Sequence, residues 1–317
     1  MPEYNIRHIT RYTYPAQATD SANQLILYPH STDHQELREY KLEISHQPHV
    51  EFFIDYFGNK VGIFSLIRPH TELLIRAEMD VVTHEVELPA DEARASEQWI
   101  TLAEESEQWP CLDFMLQEKA DMHDDIEALT LSFIKDDITP FAAVKTMSSW
   151  INENFSYVKG ITSVETSVDE IWRLRAGVCQ DFAHMLLVML RMAGIPSRYV
   201  SGYICPKNHE LRGEGATHAW VEAWIPNYGW IGVDPTNNCI VSDRHVRLAA
   251  GRDFSDCTPV KGIYKGPSQH LLEVSVVINN AQAENAEPLT PVFTYKVTQE
   301  SPSDNSYRRF MEIQQQQ

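Results

Sequence analysis

The spacing of hydrophobic residues changes twice along this 317-residue chain. Residues 1–88 alternate apolar and other positions, as at Tyr4, Ile6 and His8, which is typical of β-strands. Apolar residues then recur at helical spacing, and alternation returns in several short segments beyond residue 197. The pattern therefore predicts an all-β, sandwich-like N-terminal region followed by a region that mixes helices with strands.

The charged residues mark a segment between these two regions. Residues 91–137 contain 14 acidic and 3 basic residues, a net charge of −11. Trp99 and Leu102 recur there at helical spacing, so we expect solvated helices. The predicted organisation has four parts: a β-sandwich-like N-terminal domain over 1–88, an acidic helical connector over 89–137, the mixed region over 138–300 and a polar tail over 301–317. We expect residues 314–317 of the tail to be disordered.

Composition limits the classes of partner. The chain has 26 Lys and Arg against 45 Asp and Glu, a net charge of −19. An acidic surface repels phosphate, so we expect neither nucleic acid nor an anionic membrane as a partner. The longest apolar run, residues 185–190, is far shorter than a membrane span. The N-terminus lacks the features of a secretion signal, so we expect a cytoplasmic protein.

The five cysteines are an odd number and form no Cys-x-x-Cys pair. This argues against a disulfide framework and against a thiolate zinc site. We expect reduced thiols, no metal and no cofactor.

Local signals place three helices in the mixed region. Thr139 followed by Pro140 predicts a helix start. Ser167 and Glu170 have capping-box spacing, and Gly177 is placed to end that second helix. A third helix follows directly and stops at Gly194. Strands are predicted over 198–204, 218–225, 230–233, 271–278 and 292–297.

Cys179 stands at the start of the third helix. The unpaired N–H groups and the positive end of a helix dipole favour a thiolate there, and the thiolate is the nucleophilic form. The same N–H groups could hold an oxyanion. The alternative is a small buried hydrophobic side chain, which is the commoner fate of an intracellular cysteine.

His218 is the best-placed base for such a nucleophile. His184 lies about 140° around the helix from Cys179 and is expected to be structural. His218 opens a strand, and Asp234 ends the next one after a hairpin link over 225–229. The side chains of His218 and Asp234 lie on one face of the sheet if the two residue numbers of each cross-strand pair add up to an even number. Asp234 could then orient the imidazole. Direct opposition requires paired numbers that sum to 452, with a loop of three or five residues.

Four stretches of sequence together resemble the bacterial transglutaminase-like superfamily. They are the octapeptide Gly-Val-Cys-Gln-Asp-Phe-Ala-His (177–184), residues 191–203, Thr-His-Ala-Trp-Val-Glu (217–222) and Trp-Ile-Gly-Val-Asp-Pro-Thr (230–236). The resemblance spans about residues 140–265, and residues 1–88 resemble the N-terminal region that often precedes this core. It implies an α+β, papain-like fold with the nucleophile helix on an antiparallel sheet, and a catalytic triad of Cys179, His218 and Asp234.

The resemblance also implies acyl transfer through a thioester on a carboxamide or peptide bond. The substrate would be a peptide or protein, and we expect hydrolysis rather than crosslinking. Cys179 N–H would be one oxyanion donor. Tyr157, Gln180 and Trp220 are candidates for the second donor or for substrate contact, although an aromatic residue on a strand is more often core. Oligomeric state is not predicted.

Two other function classes stay open at this stage. A non-catalytic peptide-binding module could use the same groove, and reactivity of Cys179 separates it from an enzyme. Acyl transfer from a thioester cofactor is the other alternative, because arylamine acetyltransferases resemble this core.

Overall fold

The N-terminal residues form antiparallel strands, in agreement with their alternating pattern. The computed structural model describes residues 1–90, 93–117, 121–163, 166–205, 212, 217–267, 269–280 and the backbone of 292–297. The sequence Asp55 to Asn59, with Gly58 at φ 83°, turns the chain between the third and fourth strands. The first five strands are β1 (Glu3–Tyr28), β2 (Gln35–Ile44), β3 (Glu51–Ile54), β4 (Lys60–Leu66) and β5 (His70–Thr83).

Helices occupy the acidic segment and the region that follows it. The first three are α1 (Ala95–Ser106), α2 (His123–Ser132) and α3 (Pro140–Asn154). The Thr139 hydroxyl accepts the Ala142 N–H at the start of α3, which confirms the predicted cap. Within the described part of the chain, no helix is long and apolar enough to cross a membrane.

The segment before the nucleophile folds as a short strand, a helix, a second short strand and a long helix. These are β6 (Ser156–Tyr157), α4 (Val168–Leu174), β7 (Ala176–Gly177) and α5 (Cys179–Met192). Ser167 caps α4 as predicted. The predicted end at Gly177 is wrong, because Arg175 already terminates α4 in the left-handed conformation at φ 48°. Its guanidinium lies 3.4 Å from the Trp172 ring centroid, which stabilises that unusual backbone.

The core sheet lies against α5. Its strands are β8 (Ser197–Ile204), β9 (Thr217–Ile225), β10 (Gly229–Asp234), β11 (Cys239–Ile240) and β12 (His245–Gly251), in the antiparallel order β11-β10-β9-β8-β12. Ala219, Val221 and Ala223 face the buried side of α5. The alternation of β9 therefore seats the helix on one face of the sheet and leaves Trp220 and Glu222 on the other.

The strands beyond residue 259 return to the N-terminal sheet. They are β13 (Val260–Lys265), β14 (His270–Asn280) and β15 (Val292–Val297). β14 pairs with the first half of β1, and β13 pairs with its second half. The segment 138–300 is thus divided between two sheets, and its strands β13 and β14 pair with β1, the first strand of the chain.

Two side-chain amides cover the outer edge of β12. Gln35 exchanges hydrogen bonds with the backbone N–H and C=O of Arg247, at 2.8 and 2.9 Å. Asn59 does the same with Ala250, at 2.8 Å in both directions. A side-chain amide has the same donor and acceptor as a peptide group, so these two residues pair the edge strand without a further strand.

Candidate active site

The turn into α5 is held by a carboxylate. Asp181 accepts the Val178 N–H at 2.6 Å and the Thr162 hydroxyl at 2.7 Å. A Cβ at position 177 would collide with this carboxylate, so Gly177 is required for close approach rather than for a positive φ. The Gly-x-Cys-x-Asp pattern thereby fixes the position of Cys179 at the first helical residue.

The first turn of α5 presents backbone donors beside the thiol. Asp181 and Phe182 both donate their N–H groups to the Val178 carbonyl. Helix geometry leaves the N–H groups of the two preceding residues, Cys179 and Gln180, without an intrahelical acceptor. Cys179 is half-buried and so accessible to a reactant. This helix end can therefore stabilise both a thiolate and an oxyanion.

His218 and Asp234 form a buried pair. The distance from His218 Nε2 to Asp234 Oδ2 is 2.8 Å, and the two residues are 3% and 0% exposed. Asp234 also accepts the backbone N–H groups of Thr236 and Asn237 on Oδ1, at 2.9 and 3.2 Å. The Asn237 amide donates to Oδ2 at 2.8 Å. A carboxylate with this many donors is held firmly in its ionised form.

In the hairpin of β9 and β10, His218 and Asp234 do not lie directly opposite each other. Val233 pairs with Val221, so Asp234 lies opposite Trp220 and diagonal to His218. The loop has three residues, 226–228, and is centred on Asn227, at φ 62°. The even parity is kept, so both functional side chains still lie on one face of the sheet, and the diagonal offset lets the imidazole reach the carboxylate.

The opposite charges of His218 and Asp234 shift the pKa values of both groups. Burial lowers the pKa of His218, but the Asp234 charge and the interaction with Cys179 outweigh it and raise this pKa to about 10. Burial raises the pKa of Asp234, but the His218 charge and its hydrogen bond hold this pKa far below the ordinary value. Since Nε2 is bound to Asp234, Nδ1 is the ring nitrogen left for the thiol. Nδ1 is buried, and none of the described residues lies in hydrogen-bonding geometry with it.

His245 is a member of the site that the sequence did not indicate. Its Nδ1 accepts the Ser242 N–H at 3.2 Å, so its proton lies on Nε2, which is 3.5 Å from Asp234 Oδ2. Burial lowers the pKa of His245 and keeps it neutral. It stands at the start of β12, outside the recognised stretches and not next to β10 in the sheet, and only the tertiary fold brings it to Asp234.

The weaker candidates have different surroundings. Tyr157 pairs with Gly177 across β6 and β7, which places it beside the nucleophile turn. Gln180 is half-buried next to Cys179. Trp220 is 1% exposed and packs near His218 and His245, with ring centroids 6.4 and 5.3 Å apart. The ring is enclosed by the residues that build the site, and the role of Trp220 as a substrate or oxyanion residue stays a prediction.

One group of side chains near the site could supply metal ligands. One atom each of Asp234, Cys239 and His245 lies within 4.8 Å of the others. The only proton of the neutral His245 is on the nitrogen that faces Asp234, and a metal would need that nitrogen free. Burial, followed by the Asp234 charge, raises the pKa of Cys239 to about 12. The donor set therefore favours a proton over a metal ion.

Known proteins resemble both halves of the chain. Residues 127–235 match the transglutaminase-like superfamily, and residues 4–82 match the bacterial transglutaminase-like N-terminal region. An uncharacterized protein of Mycobacterium leprae is 35% identical over 278 residues, which cover 86% of this chain and 96% of that protein. The chain belongs to the transglutaminase-like superfamily. Its α+β fold and its N-terminal all-β region are those predicted from the resemblance.

Two further relatives carry descriptive names. The crystal structure of a protein from Cytophaga hutchinsonii, provisionally described as a cysteine protease, superposes with a TM-score of 0.68, and the match covers 93% of this chain and 98% of that one. Its sequence identity is 19%, so the likeness concerns the fold. A protein-glutamine gamma-glutamyltransferase of Pseudomonas aeruginosa is 37% identical over 105 residues, which are 31% of this chain and 16% of that enzyme.

Proposed function

We propose that this transglutaminase-like protein is a thiol enzyme that acts on carboxamide or peptide bonds of peptides or proteins through a Cys179 thioester. The observation that carries the proposal is the buried His218–Asp234 pair at 2.8 Å, with the other imidazole nitrogen left for the thiol. A protein that only binds peptides has no need for a buried, charge-coupled imidazole next to a helix-start cysteine.

The steps follow from the protonation states. His218 Nδ1 takes the proton of Cys179, and Asp234 stabilises the imidazolium. The thiolate attacks the carbonyl carbon, and the oxyanion binds at the N-terminus of α5. The imidazolium returns its proton to the leaving amine, so a thioester remains on Cys179. Water, or a second amine, then releases the acyl group, with His218 acting as base.

The names of two relatives support peptides or proteins as the substrate class. One solved neighbour is provisionally a cysteine protease, and one relative is a protein-glutamine gamma-glutamyltransferase. Both activities form a thioester from an amide, so they share the first half of the proposed reaction. Water is the default acceptor in our proposal. The cytoplasmic location stays a prediction.

The first test is the pH dependence of iodoacetamide labelling at each cysteine, located by mass spectrometry. Burial raises the pKa of Cys111 to about 11, and that of Cys205 and Cys257 well above the ordinary value. These thiols and Cys239 are internal controls. We expect rapid labelling near pH 6 at Cys179 alone, and loss of this labelling in His218→Ala. Labelling at the rate of a free thiol of pKa about 8.5 would instead favour the peptide-binding module.

The second test concerns turnover. Wild type and Cys179→Ser are incubated with a blocked Gln-containing peptide and with hydroxylamine as the acceptor. We expect ammonia release and a peptide hydroxamate from wild type only, and ammonia release without added amine if water resolves the thioester. Labelling of Cys179 by an acyl-CoA, with no reaction on the peptide, would support the acetyltransferase alternative instead.

A further inference from the structure

The loop that follows β6 is tied at both ends to the start of α5. At one end, the Val158 N–H donates to the Gly177 carbonyl at 2.8 Å. At the other end, the Thr162 hydroxyl donates to Asp181 Oδ2 at 2.7 Å. Gly177 and Asp181 stand two residues before and two residues after Cys179. The loop is therefore held next to the proposed nucleophile.

Two aliphatic side chains of this loop are exposed. Val158 and Ile161 have 40% and 43% of their surface accessible to water. Residues 159–160 form a turn between them, with Gly160 at φ 78°. The first and last residues of a four-residue turn have Cα atoms less than about 7 Å apart, so Val158 and Ile161 lie side by side. Together they form a small apolar surface beside Cys179, which we call the aliphatic patch.

The aliphatic patch adds little to the stability of the fold. The residue before it, Tyr157, packs on Phe182 in the core, with ring centroids 6.3 Å apart. The alternation of an extended chain therefore turns Val158 away from the core. Side chains this exposed gain only part of the free energy of burial in the folded protein alone. Sites that bind ligands combine such apolar contacts with a few polar groups, and here the polar groups are those of the proposed triad.

We propose that the aliphatic patch selects substrates in which the residue next to the reacting carboxamide or peptide bond has an aliphatic side chain. This inference rests on the proposed thioester chemistry at Cys179. Because the loop is fixed on both sides of the nucleophile, a side chain near the reacting carbonyl meets the patch while the carbonyl is at the thiol. Their contact removes both surfaces from water, and each CH2 group buried in this way favours binding by about fourfold. A polar side chain of the same size lacks this gain.

The test compares two alkylating reagents of equal size, N-butyl-iodoacetamide and N-(2-methoxyethyl)-iodoacetamide. They differ only in one CH2 group of the butyl chain, which an ether oxygen replaces. The alkylation rates of Cys179 are measured at pH 8, with mass spectrometry to locate the label. Glutathione, measured in parallel, corrects for the intrinsic reactivity of each reagent. Relative to glutathione, we expect Cys179 to prefer the butyl reagent by about fourfold or more.

Variants of the loop make the result specific to the aliphatic patch. Val158→Ser combined with Ile161→Ser should abolish the preference for the butyl reagent and leave the rate with the methoxyethyl reagent unchanged, which shows that the thiol is intact. Val158→Ile combined with Ile161→Leu should retain the preference. Ile100 is 63% exposed on α1, and Ile100→Ser is the matched control, which should behave as wild type.

The outcomes separate this inference from the proposed function. No preference for the butyl reagent in wild type, or an unchanged preference in the double serine variant, would overturn the role of the aliphatic patch. The reactivity of Cys179 toward iodoacetamide near pH 6 tests the enzyme itself. At pH 8 a free thiol also reacts, so the ratio of the two reagents tests the patch even if Cys179 is not activated.

Discussion

At the scale of single residues, the properties of the site come from what surrounds one carboxylate. Asp234 accepts hydrogen bonds from His218, from two backbone N–H groups, from the Asn237 amide and from His245. A buried carboxylate with this set of donors stays charged. Its charge is what overcomes the burial of His218 and keeps that imidazole basic.

Asp234→Asn tests this dependence. The asparagine amide can donate to His218 Nε2, which moves the ring proton to Nδ1, the nitrogen that faces the thiol, and removes the base. Without the charge, burial lowers the pKa of His218. We expect the rapid labelling of Cys179 near pH 6 to disappear and its pH profile to approach that of a free thiol. Asp20→Asn, on the surface, is the control, and an unchanged profile in Asp234→Asn would contradict the proposed roles.

At the scale of elements, the start of α5 depends on a contact between a glycine and a carboxylate. Asp181 closes the turn by accepting the Val178 N–H, and its side chain occupies the space where residue 177 would place a Cβ. Burial raises the pKa of Asp181, although its hydrogen bonds oppose this. Two features thus position Cys179. One is the close packing at Gly177, two residues before it, and the other is the cap formed by Asp181, two residues after it.

Gly177→Ala should displace Asp181 and destabilise the fold by about 2 kcal/mol, as overpacking does. Urea denaturation measures this cost in a double-mutant cycle with Asp181→Gly. In the Asp181→Gly background, the three side-chain atoms nearest to the added methyl group are absent, so the cost should fall well below the cost in wild type. Additive costs would show that the two residues act independently and that the collision is not what requires glycine.

At the scale of the whole molecule, the two sheets are joined by buried polar contacts as well as by apolar packing. His8 on β1 is 1% exposed, with Nδ1 2.9 Å from the Tyr203 hydroxyl of β8 and Nε2 3.1 Å from the Thr10 hydroxyl. Burial lowers the pKa of His8 to about 4. Protonation of this residue therefore opposes the docking of the N-terminal sheet on the core.

This gives the stability of the molecule a pH dependence with a definite sign. The unfolded chain binds a proton at His8 below about pH 6.5, whereas the folded chain does so only near pH 4. Neutral His8 makes its full contribution to the free energy of unfolding above pH 6.5, and this contribution is lost as the pH falls to 4. Between these values wild type should lose up to about 3 kcal/mol more stability than His8→Gln.

Urea denaturation at several pH values checks this difference. His184 and His245 have pKa values that burial lowers, so they contribute to acid instability in both proteins, and the comparison isolates His8. The exposed His30→Gln variant should follow wild type. Parallel pH profiles for wild type and His8→Gln would contradict the role assigned to His8.

Much of the local structure could be predicted from the sequence. The caps at Thr139 and Ser167, the start of α5 at Cys179 and the strands from 198 to 233 are short-range features, because a helix cap or an alternating strand is encoded within a few residues. The end of α4 was missed because a left-handed arginine is stabilised by stacking on Trp172, which a preference for glycine does not reveal.

The sequence by itself determined which elements form and that Cys179, His218 and Asp234 belong to the family pattern. Only the tertiary structure decided the diagonal register of His218 and Asp234, the place of His245, and the return of residues 260–280 to β1. The physical reason is that no local pattern encodes these contacts. Which strands become neighbours, and in which register, depends on burying their faces together, and the residues concerned lie from 11 positions apart, for His245 and Asp234, to 276 apart, for Tyr4 and Asn280.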